Sequence, residues 1–155
     1  MNRQDAKTPR EPDSALDKVA AEIVDAAFAV HSALGPGLLE SVYEACLTHE
    51  LKKRGLPVER QVILPVVYDG LLVEAGLRLD LLVNGTVIVE IKAVESFLPV
   101  HKAQVLSYLK LSGHHLGLLI NFNVPLIKDG IKRIVSSSLA SWRLGGSPSS
   151  TSICL

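Results

Sequence analysis

The segment from Val87 to Val94 constrains the fold more than any other part of the chain. It reads Val-Ile-Val-Glu-Ile-Lys-Ala-Val, so its apolar residues are almost continuous. Such a run is typical of a strand covered on both faces. Glu90 and Lys92 interrupt it and, being two residues apart, point to the same face. Because an isolated buried charge is strongly unfavourable, the two form an ion pair, face water, or build a site in which the carboxylate holds a metal and the ammonium stabilises a developing anion.

The surrounding patterns predict a mixed α/β domain. Apolar residues recur at spacings of three and four before Gly35, and short β-type runs follow Pro57. Pro65 predicts that the first strand lies at an edge or carries a bulge. The predicted order is a helix over 15–34, a helix over 38–54, strands over 58–68, 71–83 and 87–94, a helix over 100–111, a strand over 115–122 and a short helix over 128–135. Three meandering strands, a crossover helix and a further strand form a mixed sheet.

Composition divides the 155 residues into one domain and two polar ends. Residues 1–13 are polar with two prolines and predict a disordered arm, and residues 136–155 are rich in Ser and Gly and predict a flexible tail. The domain is therefore expected at 14–135, a length that suits a single core. No apolar run approaches the ~18 residues of a membrane span. Cys46 and Cys154 do not form a disulfide framework, so both are interpreted as reduced and the protein as cytoplasmic.

Charge excludes a generally basic nucleic-acid binder, because 16 Lys and Arg residues balance 16 Asp and Glu residues. Any nucleic-acid contact must come from a local patch. Residues 93–136 hold five basic residues against two acids, an excess that would suit phosphate, although a solvated face is the simpler interpretation. The candidate nucleic-acid-binding residues are Lys102, Lys110, Lys132 and Arg133, with Lys128 nearby.

Asp80 adds an argument for a site to the simple ion-pair interpretation. It interrupts the apolar second strand, which a turn at Asn84-Gly85 joins to the third. If Asp80 faces Glu90 across these strands, two carboxyl groups lie close together and require a cation; oxygen ligands suit Mg²⁺ or Mn²⁺. A two-residue turn would send Glu90 to the other face. The site therefore requires an odd loop, such as residues 84–86, or a β-bulge.

Two helices carry further candidates. Glu40 and Glu44 are one turn apart and share a face, although an acid in a first helical turn is often simply solvated. His101, Gln104 and Tyr108 share a side of the later helix, which alone would be an ordinary polar flank.

Taken in order, these motifs resemble a known family. Gly37, Glu40 and Tyr43 give Gly-x-x-Glu-x-x-Tyr; Arg78-Leu79-Asp80 and Val89-Glu90-Ile91-Lys92-Ala93 follow. Next come His101-x-x-Gln104-x-x-x-Tyr108-Leu109 and Gly117-Leu118-Leu119-Ile120-Asn121-Phe122. The set resembles the GxxExxY protein family, a branch of the PD-(D/E)xK nuclease superfamily, over roughly residues 20–135. Leu79 stands where the namesake motif has Pro.

The resemblance implies a restriction-endonuclease-like core of order α-β-β-β-α-β, here with an additional N-terminal helix. It implies that Asp80 and Glu90 bind Mg²⁺ or Mn²⁺ and that Lys92 supports the attacking water and the phosphate charge. Glu40 or Glu44 would assist from the helix, and Gln104 with Tyr108 would line the site. His101, one turn before Gln104, could touch a substrate phosphate.

Two functions follow as expectations. The first is a Mg²⁺-dependent nuclease that hydrolyses nucleic-acid phosphodiesters, DNA more than RNA, through a metal-activated water. The second is a module of the same fold that binds nucleic acid or protein without cleaving. The expected partner is nucleic acid and not a membrane, and a homodimer or a partner protein is compatible with either function.

Overall fold

The computed structural model describes residues 11–136. Most of the predicted N-terminal arm and nearly all of the predicted C-terminal tail lie outside these residues. The elements are α1 (Glu11–Leu34), α2 (Glu40–Lys53), β1 (Val58–Tyr68), β2 (Leu71–Val83), β3 (Val87–Lys92), α3 (Pro99–Ser112), β4 (Leu116–Asn121), a 3-10 helix (Ile127–Gly130) and β5 (Ile131–Val135). None of the helices within residues 11–136 has the length and apolarity needed to cross a bilayer.

One five-stranded mixed sheet organises the domain, with strand order β1-β2-β3-β4-β5. The first three strands form an antiparallel meander. Strand β4 then lies parallel to β3, with α3 as the crossover between them, and β5 pairs antiparallel with β4. The predicted α/β class with a mixed sheet and an additional N-terminal helix is confirmed.

The sheet separates two hydrophobic cores. The larger core joins α1 and α2 to residues such as Leu81, Val89 and Ile91. The smaller core joins α3 to Leu79, Leu82, Ile88 and neighbours. Strand β3 is buried along almost its whole length because helices cover both of its faces, as its apolar run predicts.

The predicted last helix over 128–135 is wrong. A 3-10 helix ends at Gly130, and residues 131–135 form strand β5 against β4. Ile131 and Ile134 are three apart, which suits one face of a helix, but in the strand they enter opposite cores. Residues 131–135 form a strand and not a helix because the strand provides hydrogen-bond partners for the backbone groups along the otherwise open edge of β4.

Strand β1 is an edge strand, and its register against β2 shifts between Leu64 and Val66. This confirms both consequences predicted from Pro65, the residue between them. Opposite the shift, a Cβ on Gly76 would lie 2.4 Å from the carbonyl oxygen of Leu64. The irregularity therefore requires glycine at this position, and β2 continues through it instead of breaking.

Two element ends differ from prediction. Helix α1 begins at Glu11, four residues before its predicted start at residue 15. Strand β3 ends at Lys92, two residues early, because the next two amides bond to side chains. The N–H of Ala93 donates to Glu40, and the N–H of Val94 donates to Asn121. The chain thus leaves the sheet directly after Lys92.

Candidate active site

The connection between β2 and β3 is a three-residue loop. Val83 pairs with Val87, which leaves Asn84, Gly85 and Thr86 in the loop. Asn84 and Gly85 have φ values of 56° and 65°, the left-handed conformation that Asn and Gly tolerate best. The predicted odd loop is confirmed. Leu81 lies opposite Val89, and the next residues along the two strands are Asp80 and Glu90.

The β2–β3 ladder stops at Asp80. The N–H of Ile91 donates to Asp80 Oδ2 at 2.8 Å, so a side chain takes the place of a backbone acceptor. Leu79 and Leu81 are two residues apart, yet they enter opposite cores. Because residues two apart in a regular strand share a face, β2 must rotate at Asp80. The Asp80 carboxylate therefore lies where the two strands separate.

Glu90 is a buried acid with an unsatisfied oxygen. It is 5% exposed, and Oε1 has no hydrogen-bond partner among the described residues. The other oxygen, Oε2, lies 3.6 Å from Lys92 Nζ. Burial, and next the neighbouring charge of Asp80, raise the pKa of Glu90 to about 8. Burial also raises the pKa of Asp80.

This pair of acids fits a divalent cation. The Asp80 charge disfavours the charged form of Glu90, and a cation between the two groups would relieve this effect and occupy Glu90 Oε1. An oxygen-only pair suits Mg²⁺ or Mn²⁺. Within residues 11–136 no group of three or more His, Cys, Asp or Glu side chains is arranged to hold a metal. The protein thus offers two carboxylates, and further ligands would come from water or substrate.

The two acids of α2 have different surroundings. Glu40 is exposed, and its Oε2 accepts the N–H of Ala93 at 3.1 Å. Glu44 is buried, and its two oxygens accept from Arg60 Nε at 3.0 Å and from Gln61 Nε2 at 2.8 Å. Glu40 therefore touches the backbone that follows Lys92, whereas Glu44 is held by β1. Both line, with Asp80, a cavity of about 550 Å³ that we call the acidic cavity.

The Gly-x-x-Glu-x-x-Tyr motif fixes the start of α2. The Tyr43 hydroxyl donates to the carbonyl of Gly35 at 2.6 Å and accepts the N–H of Leu38 at 3.1 Å. Its ring stacks on Phe122 with centroids 4.5 Å apart. Gly37 has a φ of 100°, which favours glycine. The motif thus closes the loop that presents Glu40 to the end of β3.

On the other side of β3, Lys92 and α3 line a cavity of about 420 Å³, which we call the donor cavity. The predicted residues His101, Gln104 and Tyr108 line it as well, so the structure brings them together with Lys92. Tyr108 is buried, and burial, with the negative charges of Glu90 and Asp80, raises its pKa to about 12. The phenol therefore keeps its proton at any ordinary pH and can donate a hydrogen bond.

The predicted basic residues do not all share a surface. Lys102 and Lys110 are exposed on α3, and Lys132 is exposed on β5 beside Ile134 of the smaller core. Arg133 projects from the opposite face of β5 and forms an ion pair with Asp17 of α1. Arg133 is therefore separated from the other three cations.

Asn121 is a buried residue near the site whose role the sequence did not reveal. Its Oδ1 accepts the N–H groups of Val94 and Asn123, each at 3.0 Å, and its Nδ2 donates to the Val94 carbonyl at 2.8 Å. The N–H of Phe122 donates to the Lys92 carbonyl at 3.0 Å. These bonds hold the chain on both sides of Ala93. The sequence feature that could have pointed to Asn121 is an amide residue at the end of an apolar strand. By itself, such a residue does not identify a role.

Comparison with known proteins agrees with this geometry. No curated protein and no solved structure gives a significant match. A family model described as the PD-(D/E)XK nuclease superfamily matches residues 17–134. The matched region contains Glu40, Asp80, Glu90 and Lys92 and extends over most of the chain. The chain therefore belongs to the PD-(D/E)XK nuclease superfamily.

Proposed function

We propose that this protein is a Mg²⁺- or Mn²⁺-dependent nuclease of the GxxExxY branch, acting on DNA more than on RNA. The observation that carries the proposal is Glu90: a buried carboxylate with one unpaired oxygen, beside a second carboxylate and 3.6 Å from a lysine amine. A structural ion pair between Glu90 and Lys92 alone accounts neither for the orphaned oxygen nor for the second carboxyl group beside it.

Asp80 and Glu90 are the residues that would hold the cation. When bound, a divalent metal supplies positive charge that makes water more acidic and polarises a phosphoryl oxygen. The Asp80 carboxylate is already oriented for this role, because the N–H of Ile91 fixes Oδ2. Hydrogen bonding to this amide also favours the charged form of the acid.

Lys92 is the cationic residue of the reaction. Its side chain is 17% exposed, and it borders the donor cavity on the opposite side from the acids of α2. In the proposed hydrolysis, a water oxygen bonds to phosphorus as the bond to the ester oxygen breaks. The water releases a proton and the departing oxygen gains one. Lys92 donates to the attacking oxygen or to a phosphate oxygen, where negative charge increases in the transition state.

Glu40 is the helix acid of this proposal, rather than Glu44. One Glu40 oxygen accepts the N–H of Ala93, and the side chain is open to solvent, so the other oxygen can orient a water. Both Glu44 oxygens are occupied by Arg60 and Gln61. Glu44 therefore holds β1 against α2 and contributes negative charge near Asp80. Gln104 and Tyr108 would contact the substrate from α3.

One observation favours the non-catalytic alternative. The described residues offer two carboxylates but no larger cluster of metal ligands, and the chain has no net charge. A module that binds nucleic acid or a protein without cleaving would need no more than this. If the chain, which has no net charge, binds nucleic acid weakly on its own, a homodimer or a partner protein would supply further contacts. We place either activity in the cytoplasm, since Cys46 is a free thiol.

The deciding experiment measures cleavage of DNA and RNA, single- and double-stranded, with Mg²⁺, Mn²⁺ or EDTA. Wild type is compared with Lys92→Ala and with the matched control Lys53→Ala. Lys53 is 61% exposed at the end of α2, so its loss should leave activity unchanged. Cleavage that EDTA and Lys92→Ala both abolish supports the nuclease. Folded wild-type protein that cleaves none of these substrates contradicts it and favours the binding module.

A further inference from the structure

The donor cavity differs chemically from the acidic cavity. Its polar lining consists of Lys92, His101, Gln104, Ser107 and Tyr108, no acidic side chain lines it, and Leu77, Val100 and Ala103 complete an otherwise apolar wall. Lysine supplies only donors, and amide, hydroxyl and phenol groups each supply at least one. Such a lining is suited to an anion with several acceptor oxygens.

The hydrogen bond to His101 determines which of its two ring nitrogens carries the proton of the neutral imidazole. The backbone N–H of Leu98 donates to His101 Nδ1 at 3.0 Å. Because a backbone N–H can only donate, Nδ1 presents its lone pair, and the ring proton of the neutral imidazole is on Nε2. In the part of the chain that the structure describes, no hydrogen bond occupies Nε2. The ring therefore offers one unused donor.

The ring is also held in place. The His101 N–H donates to the Leu98 carbonyl at 2.9 Å, which closes the first turn of α3. Phe97 packs edge-on against the imidazole, with centroids 6.0 Å apart and ring planes at 76°. A donor that packing and a hydrogen bond orient in advance loses little entropy when it binds a ligand.

We propose that the donor cavity is a phosphate subsite and that His101 Nε2–H donates to a non-bridging oxygen of a nucleic-acid phosphate there. This inference rests on the proposed function, because it assumes a nucleic-acid strand passing the end of β3. Lys92, Gln104 and Tyr108 provide the other donors around the same anion. His101 is a substrate-binding residue here and takes no part in proton transfer.

Two substitutions of His101 test the roles of its two ring nitrogens separately. In His101→Asn, the side-chain oxygen can replace Nδ1 as acceptor for Leu98, but the Nε2 donor is lost. In His101→Gln, the longer amide can place its NH₂ near the original Nε2, while the acceptor for Leu98 is lost. His49→Asn is the matched control, since His49 is exposed on α2.

The experiment measures affinity for an oligonucleotide in EDTA and in Ca²⁺, its affinity for the same sequence with an uncharged methylphosphonate backbone, and thermal stability. We expect His101→Asn to melt like wild type and to bind the phosphodiester about tenfold more weakly, the loss of one hydrogen bond to a charged group. Its affinity for the methylphosphonate should equal that of wild type. His101→Gln should bind like wild type and melt at a lower temperature.

The outcomes distinguish this subsite from the nuclease proposal. Unchanged phosphodiester binding by His101→Asn overturns the subsite, even if wild type cleaves. Equal losses of stability and affinity in both variants also overturn it, because His101 would then only cap α3. If wild type binds without cleaving and His101→Asn alone weakens binding, the subsite stands and the nuclease fails. Wild type that binds neither backbone overturns both.

Discussion

The two cavities at the end of β3 have opposite chemistry, although Lys92 borders one and the next residue, Ala93, borders the other. On the α2 side, Glu40 and Glu44 meet Asp80 around the acidic cavity. On the α3 side, Lys92 meets neutral donors around the donor cavity. Glu90 contacts Lys92 on the same face of β3, and it is buried and only partly paired. Net charge is therefore a poor guide to this protein, because its charges are divided locally between an acidic cavity and a cavity lined by donors.

Replacing Glu90 should change function more than any other single substitution considered. Glu90→Gln should abolish cation-dependent cleavage and weaken Mn²⁺ binding by at least tenfold, because one of the two carboxylates is lost. Calorimetric Mn²⁺ titration and cleavage assays measure both. Glu59→Gln, an exposed acid on β1, serves as control. Mn²⁺ binding that survives in Glu90→Gln would place the cation elsewhere.

Exchanging the two acids of α2 for amides should separate chemistry from stability. Glu40→Gln should lower kcat about tenfold or more with little change in melting temperature, because Glu40 is exposed. Glu44→Gln should destabilise the fold by about 1–3 kcal/mol, since it removes the charge that Arg60 Nε bonds at 3.0 Å. Denaturant unfolding and steady-state kinetics distinguish the two. The reverse pattern would make Glu44 the helix acid.

Removing the metal should expose a pH dependence of stability. The pKa of Glu90 is raised to about 8 in the folded protein, from an ordinary value of 4.5. Between these values the folded state holds a proton that the unfolded state has lost, so stability in EDTA should fall as pH rises through this window. Melting curves from pH 5 to 9 measure the slope. Mg²⁺ or Glu90→Gln should flatten it, and an equal slope in Glu90→Gln would assign it to another group.

The smallest effect should come from the cation that faces away from the donor cavity. Arg133→Ala removes an exposed ion pair with Asp17 and should cost less than ~1 kcal/mol of stability without changing nucleic-acid affinity. Lys102→Ala, from exposed α3, should weaken binding a few-fold and reduce its salt dependence. Fluorescence anisotropy at several salt concentrations compares them. Equal losses in the two variants would show that the nucleic acid wraps both faces.

The sequence was most informative where local rules decide the outcome. The alternation of side chains along a strand and the requirement that Asp80 meet Glu90 together predicted an odd loop or a β-bulge, and the register shows the odd loop. The roles of Glu40 and Glu44 could not be separated, because helical spacing places both on one face. Their surroundings differ only through contacts that are distant in sequence, with Ala93 for one and with Arg60 and Gln61 for the other.

Two further features depended on tertiary structure. Residues 131–135 form a strand because β4 would otherwise have an open edge. The sequence of these five residues does not indicate that pairing. Asn121 holds the chain after Lys92 through two hydrogen bonds to Val94 across the end of the sheet. An amide in an apolar sequence signals that a partner exists but does not identify it.

The three-residue loop between β2 and β3 also determines which changes of length this chain can accept. Deleting one residue from positions 84–86 would turn every side chain of β3 over relative to β2. Glu90 and Lys92 would exchange sides with Val89 and Ile91, so both cores and the acid pair would be lost together. Inserting two residues would preserve the parity of the strands. Among descendants of this sequence, the length of this loop should therefore drift in steps of two.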